Sequence, residues 1–435
     1  MLQTLRNAWK VEDLRRKILF TLFIVLLYRI GNAVPVPYVD TTELSRYFQN
    51  MQNSFFGLMD AMSGGSFSGA TIFALSIQPY INASIIIQLL CIAIPALERL
   101  SKEGGEEGRK KIASITRYTT VAIGLLQGFG YYMLMKNNSG SYQILQAEAA
   151  NSIWAAIVII LTFTSGSALV MWLGEQITEH GIGNGISIIL FTSIISRFPN
   201  SIAQTFTYIK AGQLPWWVAL LMYLGALLMI ILIVFVNDAE RRIPVQYAKR
   251  VVGRKMYGGQ STHLPMKVNM SGVMPIIFAS TIGTLPATIA AFTGHTDGYF
   301  ANWNNTLVYA LVYLLLIVFF AYFYSTIQFN PIEVSNNLKK NGGYIPGFRP
   351  GKPTSEFIQK VLNKITLFGA LYLAIIAVVP ILISYFDSLD GVSTTGLTGL
   401  SIGGTSIIIV VGVALETVRA LEAQLLMRNY KGFLS

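Results

Sequence analysis

Residues 215–237 read PWWVALLMYLGALLMIILIVFVN, a run with no charged side chain until Asp238 follows it. A helix of about 20 residues covers the ~30 Å hydrocarbon layer of a bilayer. In lipid an unpaired backbone group finds no water, so a run this long and this apolar reads as a membrane-spanning helix. Nine further runs read the same way, near 18–36, 71–96, 116–136, 152–176, 183–207, 271–292, 306–329, 364–386 and 402–424. The first run follows Arg15, Arg16 and Lys17, is interrupted by Arg29, and is expected to be a retained span rather than a removed signal.

Composition agrees. Hydrophobic residues make up 53% of the 435 positions and charged residues 12%, against about 25% charged in a soluble domain. The net charge of +11 raises nucleic acid as a partner, but its placement argues otherwise. Lys and Arg concentrate in alternate connections: five up to Lys17, six in 98–117, seven in 238–270, six in 330–364 and three from Glu416 onward. The intervening side holds Arg46, Lys136, Arg197 and Lys210. Positive charge marks the cytoplasmic side, so both termini are expected there. Ten spans around the connection 197–215 give two five-span halves, 1–200 and 201–435, which insert with opposite orientation. The expected fold class is an all-α polytopic membrane protein with ten transmembrane helices in two inverted five-helix halves. Such repeats place a pathway between them at the midplane.

Several chemistries are excluded by what the spans lack. His180, His263 and His295 are far apart and show no metal-ligand spacing. The glycines of 181–185, GIGNG, lack the Lys-Ser/Thr of a phosphate loop and are expected to form a tight interhelical turn. Mid-span Asp and Glu are almost absent, which argues against the alternative of a coupled small-molecule transporter. No nucleophile–base pair lies within a span, so an intramembrane enzyme is not expected. Cys91 stands alone, so no disulfide framework exists. No metal or cofactor is expected. Residues 55–70, FFGLMDAMSGGSFSGA, are too short to span and are broken by Gly64, Gly65 and Gly69; they read as interfacial or re-entrant.

Seven segments carry a resemblance to a known family: ASIIIQLL (83–90), MWLGEQITEHGIGNGISII (171–189), YAKR (247–250), QSTHLPMKVNMSGVMPIIFAS (260–280), FNPIEVSNNLKK (329–340), PGFRPG (346–351) and GGTSIIIVV (403–411). The chain resembles the SecY family, channel subunits of the bacterial protein translocase, over nearly its whole length. The resemblance implies two halves around a central hourglass pore in the plasma membrane, conducting unfolded secretory chains and releasing apolar helices sideways into lipid. By motif position the pore ring is Ile77, Ile81, Ile186, Leu190, Ile277 and Ile409. A ring of aliphatic side chains makes a constriction that resists wetting, and so opposes ion leak. The plug, near 55–68, comprises Phe55, Phe56, Leu58, Met59, Asp60, Met62, Gly64 and Gly65. The lateral gate carries Ser84, Gln88, Ser280 and Thr281, which either bond across the gate or bond their own helices. Lys249, Arg250, Arg254, Lys255 and Arg349 are implied partner-binding residues for the SecA motor ATPase and for ribosomal RNA. SecE-like and SecG-like small membrane subunits, and a substrate polypeptide with a signal sequence, complete the implied partners.

Overall fold

The computed structural model describes residues 2–49, 60, 63–146, 152–212, 214–247, 250–252, 255–257, 261–292, 303, 306–389 and 404–431. Each of the ten expected runs contains helix among the described residues, though several depart from it at their ends. Among the described residues, five helices are each long and apolar enough to cross a bilayer by themselves, and a bent pair of helices makes a sixth candidate. The others carry charged ends or a break, as follows from their sequences.

Helix α1 (Leu2–Lys10) is short, and α2 (Glu12–Gly31) is the first span. It ends at Gly31 rather than near 36, because Pro35 and Pro37 have no N–H to continue a helix. Arg29, placed by the sequence within the span, therefore sits exposed in the last helical turn. There its charge complements the negative end of the helix dipole. After α3 (Thr41–Gln49), the second span also departs from expectation. Helix α4 begins only at Gln78 and runs to Ala93; residues 71–77 are turn. Pro95 then starts α5 (Pro95–Lys102), and the chain bends by 106° at that break.

Helix α6 (Gly105–Tyr142) is 38 residues long, ~57 Å at 1.5 Å per residue. Its basic first turns therefore project beyond the hydrocarbon. Helices α7 (Ile153–His180) and α8 (Gly185–Lys210) are joined by the expected glycine turn. Asn184 caps α8 by accepting the Ile186 N–H at 3.1 Å, and Thr178 Oγ1 accepts the Gly185 N–H at 3.0 Å. The two helices then pass so closely that a Cβ on Gly185 would lie 1.9 Å from the Gly174 carbonyl oxygen. Helix α8 also extends into the expected connection 197–215 as far as Lys210, leaving Arg197 inside a helix. Helix α9 (Trp216–Asp238) buries only Ala219, Ile233 and Val236 and offers a leucine-rich face to lipid.

The seventh span is broken at Thr284 into α10 (Met274–Gly283) and α11 (Leu285–Phe292). Helices α12 (Leu307–Gln328), α13 (Pro331–Lys340), α14 (Lys352–Leu389) and α15 (Gly404–Lys431) follow. Between apolar spans the gain is close packing, since lipid is as apolar as Ile itself.

The chain is not purely helical. The connection 238–270 folds into β1 (Glu240–Tyr247), β2 (Arg250–Val252), β3 (Lys255–Tyr257) and β4 (Ser261–Lys267). A fifth strand, β5 (Gly343–Tyr344), comes from the next basic connection and joins the same sheet in the order β4-β1-β5. Ile243, Val245 and Met266 of the hairpin share a buried cluster with Ile345, Ile358 and Leu362. Arg419 of α15 anchors the base of this platform, donating to the Asn237 carbonyl at 2.9 Å and pairing with Asp238 at 2.6 Å. Ala8, Leu14, Ile182 and Leu421 form another cluster. The N-terminal helix, the turn between α7 and α8 and the far part of α15 thus lie together.

Candidate functional site

The six residues expected in the ring come from α4, α8, α10 and α15 and the turn before α4, and all belong to one large apolar cluster that also takes in Ile24, Ile233 and Leu415. Ile77, Ile81, Leu190, Ile277 and Ile409 are buried in it, and Ile186 packs against it half-buried. Gly174 shows how the elements converge. A Cβ there would stand 3.5 Å from both Ile77 Cδ1 and Ile186 Cγ1. The missing side chain on α7 is the space into which α8 and the segment before α4 close.

Beside the cluster lies the irregular backbone of residues 64–77. Irregular backbone survives at membrane depth only where protein satisfies its polar groups, and here several of its bonds reach neighbouring elements. Val36 N–H donates to the Ala70 carbonyl at 2.9 Å, and Ile72 N–H to the Val34 carbonyl at 3.0 Å. Tyr131 Oη donates to the Phe67 carbonyl. Tyr28 Oη lies 2.7 Å from Ser193 Oγ and 3.3 Å from Ser76 Oγ, with all three residues buried. Ala70 and Ser76 adopt φ of 41° and 50°. That is a costly region for residues with a Cβ, and it is held here by the surroundings. Two glycines make room. A Cβ on Gly166 would lie 1.9 Å from the Ile72 carbonyl oxygen, and one on Gly31 would lie 2.0 Å from Phe73 Cε2.

Of the expected plug residues, Asp60, Gly64 and Gly65 are described; Phe55, Phe56, Leu58, Met59 and Met62 lie outside the described residues. Asp60 is helical and bonds to the turn that begins at Gly64. Its Oδ1 accepts the Ser68 N–H at 2.8 Å, and its carbonyl accepts the Gly65 N–H at 2.9 Å and the Ser63 hydroxyl at 3.1 Å. Gly64 and Gly65 take φ of 73° and 88°, a region open to glycine at little cost.

The four expected gate residues are half-buried, and the bonds seen at them stay within their own helices. Gln88 Nε2 donates to Ser84 Oγ at 3.2 Å within α4, and Ser280 Oγ to the Ile277 carbonyl at 2.9 Å within α10. The Thr281 carbonyl accepts from Thr284 one turn later. Of the two arrangements open from the sequence, these bonds correspond to the intrahelical one.

Among the expected partner-binding residues, Lys249 and Arg254 lie outside the described residues. In the β2–β3 ladder the backbone of Arg250 is paired with Tyr257 and that of Lys255 with Val252. Arg349 is exposed on a turn held at several points. Thr354 Oγ1 donates to the Arg349 carbonyl at 2.8 Å, Ser335 Oγ donates to the Gly351 carbonyl at 2.8 Å, and Phe348 stacks on Phe357 at 4.2 Å. Gly347 and Gly351 supply the positive φ the turn needs, 87° and 108°. The backbone is fixed while the guanidinium is presented.

Tyr28, Tyr131 and Ser193 were not singled out by the sequence. A tyrosine amid an apolar run was their only signal, and its partners are far away along the chain.

With this geometry established, comparison with known proteins is direct. The SecY family profile matches residues 71–418. A protein translocase subunit SecY from Streptomyces scabiei is 46% identical over 448 aligned positions, covering 100% of both chains. The subunit of the same description from Mycobacterium tuberculosis H37Rv is 43% identical over 452 positions, again covering 100% of both. Among solved structures, one reported as "The structure of a protein conducting channel" matches with a TM-score of 0.62 at 16% identity, covering 94% of this chain and 92% of the other. "Sec61 in the Canine ribosome-channel complex from the endoplasmic reticulum" matches with a TM-score of 0.58 at 15% identity, with the same coverage. These structural likenesses concern the fold; full-length relatives above 40% identity and a profile spanning most of the sequence concern descent, and on them the chain belongs to the SecY family.

Proposed function

We propose that the chain is the channel-forming subunit of a bacterial Sec translocase in the plasma membrane. It passes unfolded secretory polypeptides across the bilayer and releases apolar helices sideways into lipid. The observation that carries this reading is the convergence of Ile77, Ile81, Ile186, Leu190, Ile277 and Ile409 into one apolar cluster directly beside a non-helical segment. An aliphatic waist is costly to wet and can yield around a moving chain. In the two halves, 1–200 and 201–435, it is the place where they meet. The segment that includes Asp60, Gly64 and Gly65 is the stopper of the closed channel. Ser84, Gln88, Ser280 and Thr281 line the seam through which helices leave.

The basic platform built by β1, β4 and β5 faces the cytoplasm, as do both termini. Arg349, together with Lys249, Arg250, Arg254 and Lys255, receives the SecA motor or ribosomal RNA. Guanidinium and ammonium groups suit phosphates and acidic protein surfaces alike. Small SecE-like and SecG-like subunits pack on the exposed apolar faces. The subunit hydrolyses nothing; SecA, the elongating ribosome and the proton motive force supply the work.

Reconstitution tests this. Proteoliposomes holding the purified complex should import an unfolded, signal-bearing polypeptide when SecA and ATP are added. Ion-coupled uptake of a small solute without SecA would instead establish a transporter.

A further inference from the structure

Arg197 has no role in the channel described above, yet it lies on a helix that touches the non-helical segment. It sits in α8, twelve residues past Gly185 and so ~18 Å along the helix. Its Nη1 is 3.0 Å from Asp60 Oδ2. The Asp60 side chain is only 10% exposed and the Arg197 side chain 37%.

Three further contacts place the same helix face against the same segment. Ser193 is one turn before Arg197 and shares its face. A Cβ on Gly64 would lie 2.8 Å from the Ser193 carbonyl oxygen and 2.8 Å from Ser196 Oγ, so the turn is seated directly on α8. The Ser193 hydroxyl meets Tyr28 Oη, which also reaches Ser76 at the far end of the segment. The face made by Ser193, Ser196 and Arg197 therefore touches the segment at its start and, through Tyr28, at its end.

Asp60 is the right residue for a fastening point. One of its oxygens organises the turn by accepting the Ser68 N–H, which leaves the other for Arg197. Of these two Asp60 bonds, moving the turn away as a unit keeps the first and breaks the second; the bonds of Tyr131 to the Phe67 carbonyl and of Ser45 to the Ser68 carbonyl must break with it. A half-buried ion pair is screened less than a surface pair, yet it is not locked in as a fully buried one would be. Both groups can rehydrate on separation, which makes the contact reversible.

We propose that the Asp60–Arg197 ion pair is the latch that holds the stopper on the fifth span in the closed channel, and that it must break before a polypeptide can pass. This rests on the reading of the segment as a stopper.

The experiment measures resting ion conductance of the full chain, with its co-purifying subunits, in planar bilayers without substrate. The variants are Asp60→Asn, which keeps an acceptor for the Ser68 N–H, Arg197→Gln, the two combined, and Arg197→Lys. Deletion of 57–65 is measured alongside. The latch predicts that each neutralisation raises resting conductance by about tenfold, and that the double variant leaks no more than either single one. Arg197→Lys, which keeps the charge, should stay within about twofold of the parent. Single variants that seal like the parent, while the deletion leaks, would overturn the latch and leave the stopper standing. Effects that multiply in the double variant would also overturn it, because the two residues would then act apart. A deletion that does not leak would overturn the stopper reading and the latch with it.

Discussion

Tyr344 Oη donates a 2.9 Å hydrogen bond to Gln246 Oε1, and the two residues are paired partners in one antiparallel ladder although 98 positions separate them. The two basic connections, which look independent along the chain, are therefore one body. Strands β4, β1 and β5 form its sheet, and Ile243, Val245, Met266, Ile345, Ile358 and Leu362 form its core. A partner that pushes on either connection pushes on both, and Arg419 ties the base of that body to the helix that carries Ile409.

Breaking that core should disable both connections together. Ile345 is 2% exposed, and Ile345→Asp would bury a carboxylate with no cation among its apolar neighbours. The expected outcome is protease cleavage within 240–267 as well as within 343–351, and loss of SecA-driven import, with the helical content of the spans unchanged. Cleavage confined to the second connection would contradict the shared core. The milder Ile345→Val should cost about 1 kcal/mol and leave import near normal.

Arg349 is expected to act by contact rather than by folding. Its turn is held by backbone and neighbouring side chains, so Arg349→Glu should leave thermal stability within about 0.5 kcal/mol of the parent. SecA-driven import should fall by about tenfold or more, since a repulsive charge replaces an attractive one at a partner surface. Import at the parental rate would remove Arg349 from the docking surface.

Two glycines of the spans should respond in opposite ways. Gly185→Ala sets a methyl against the Gly174 carbonyl and forces α7 and α8 apart; such overpacking costs about 1–3 kcal/mol. Gly225 lies in the lipid-facing α9, with nothing within 4 Å of an added Cβ. There Gly→Ala should be neutral or stabilising by up to ~1 kcal/mol. Thermal unfolding in detergent distinguishes them; equal shifts would refute the close crossing of α7 and α8.

The spans were legible because hydropathy reports directly what a bilayer demands. Their ends were less so, for reasons local to each. Pro35 and Pro37 stop α2 before the apolar run stops, and residues 71–77 are apolar enough to resemble helix while being turn. Hydropathy cannot separate lipid-facing helix from irregular backbone that protein has sheathed. The sheet was hidden for another reason. Ile243 and Val245 alternate with exposed neighbours as a strand should, but Pro244 between them and the basic residues around them read as loop. The six expected ring residues rest on motif resemblance; along the chain these five isoleucines and Leu190 look like any other aliphatic residues of a span. Asp60 stood without a partner in the sequence because Arg197 approaches it only through the path of α8, and no local pattern encodes that.

The claim on which everything else rests is that a polypeptide passes through the apolar cluster. Single cysteines at Ile81, Ile186 and Ile277, placed one at a time in a chain lacking Cys91, can be crosslinked to a substrate stalled during import. The account predicts that crosslinks concentrate at these three positions and are weak at lipid-facing Leu224 and Leu228 of α9. Crosslinks spread evenly over ring and lipid-facing positions would contradict it.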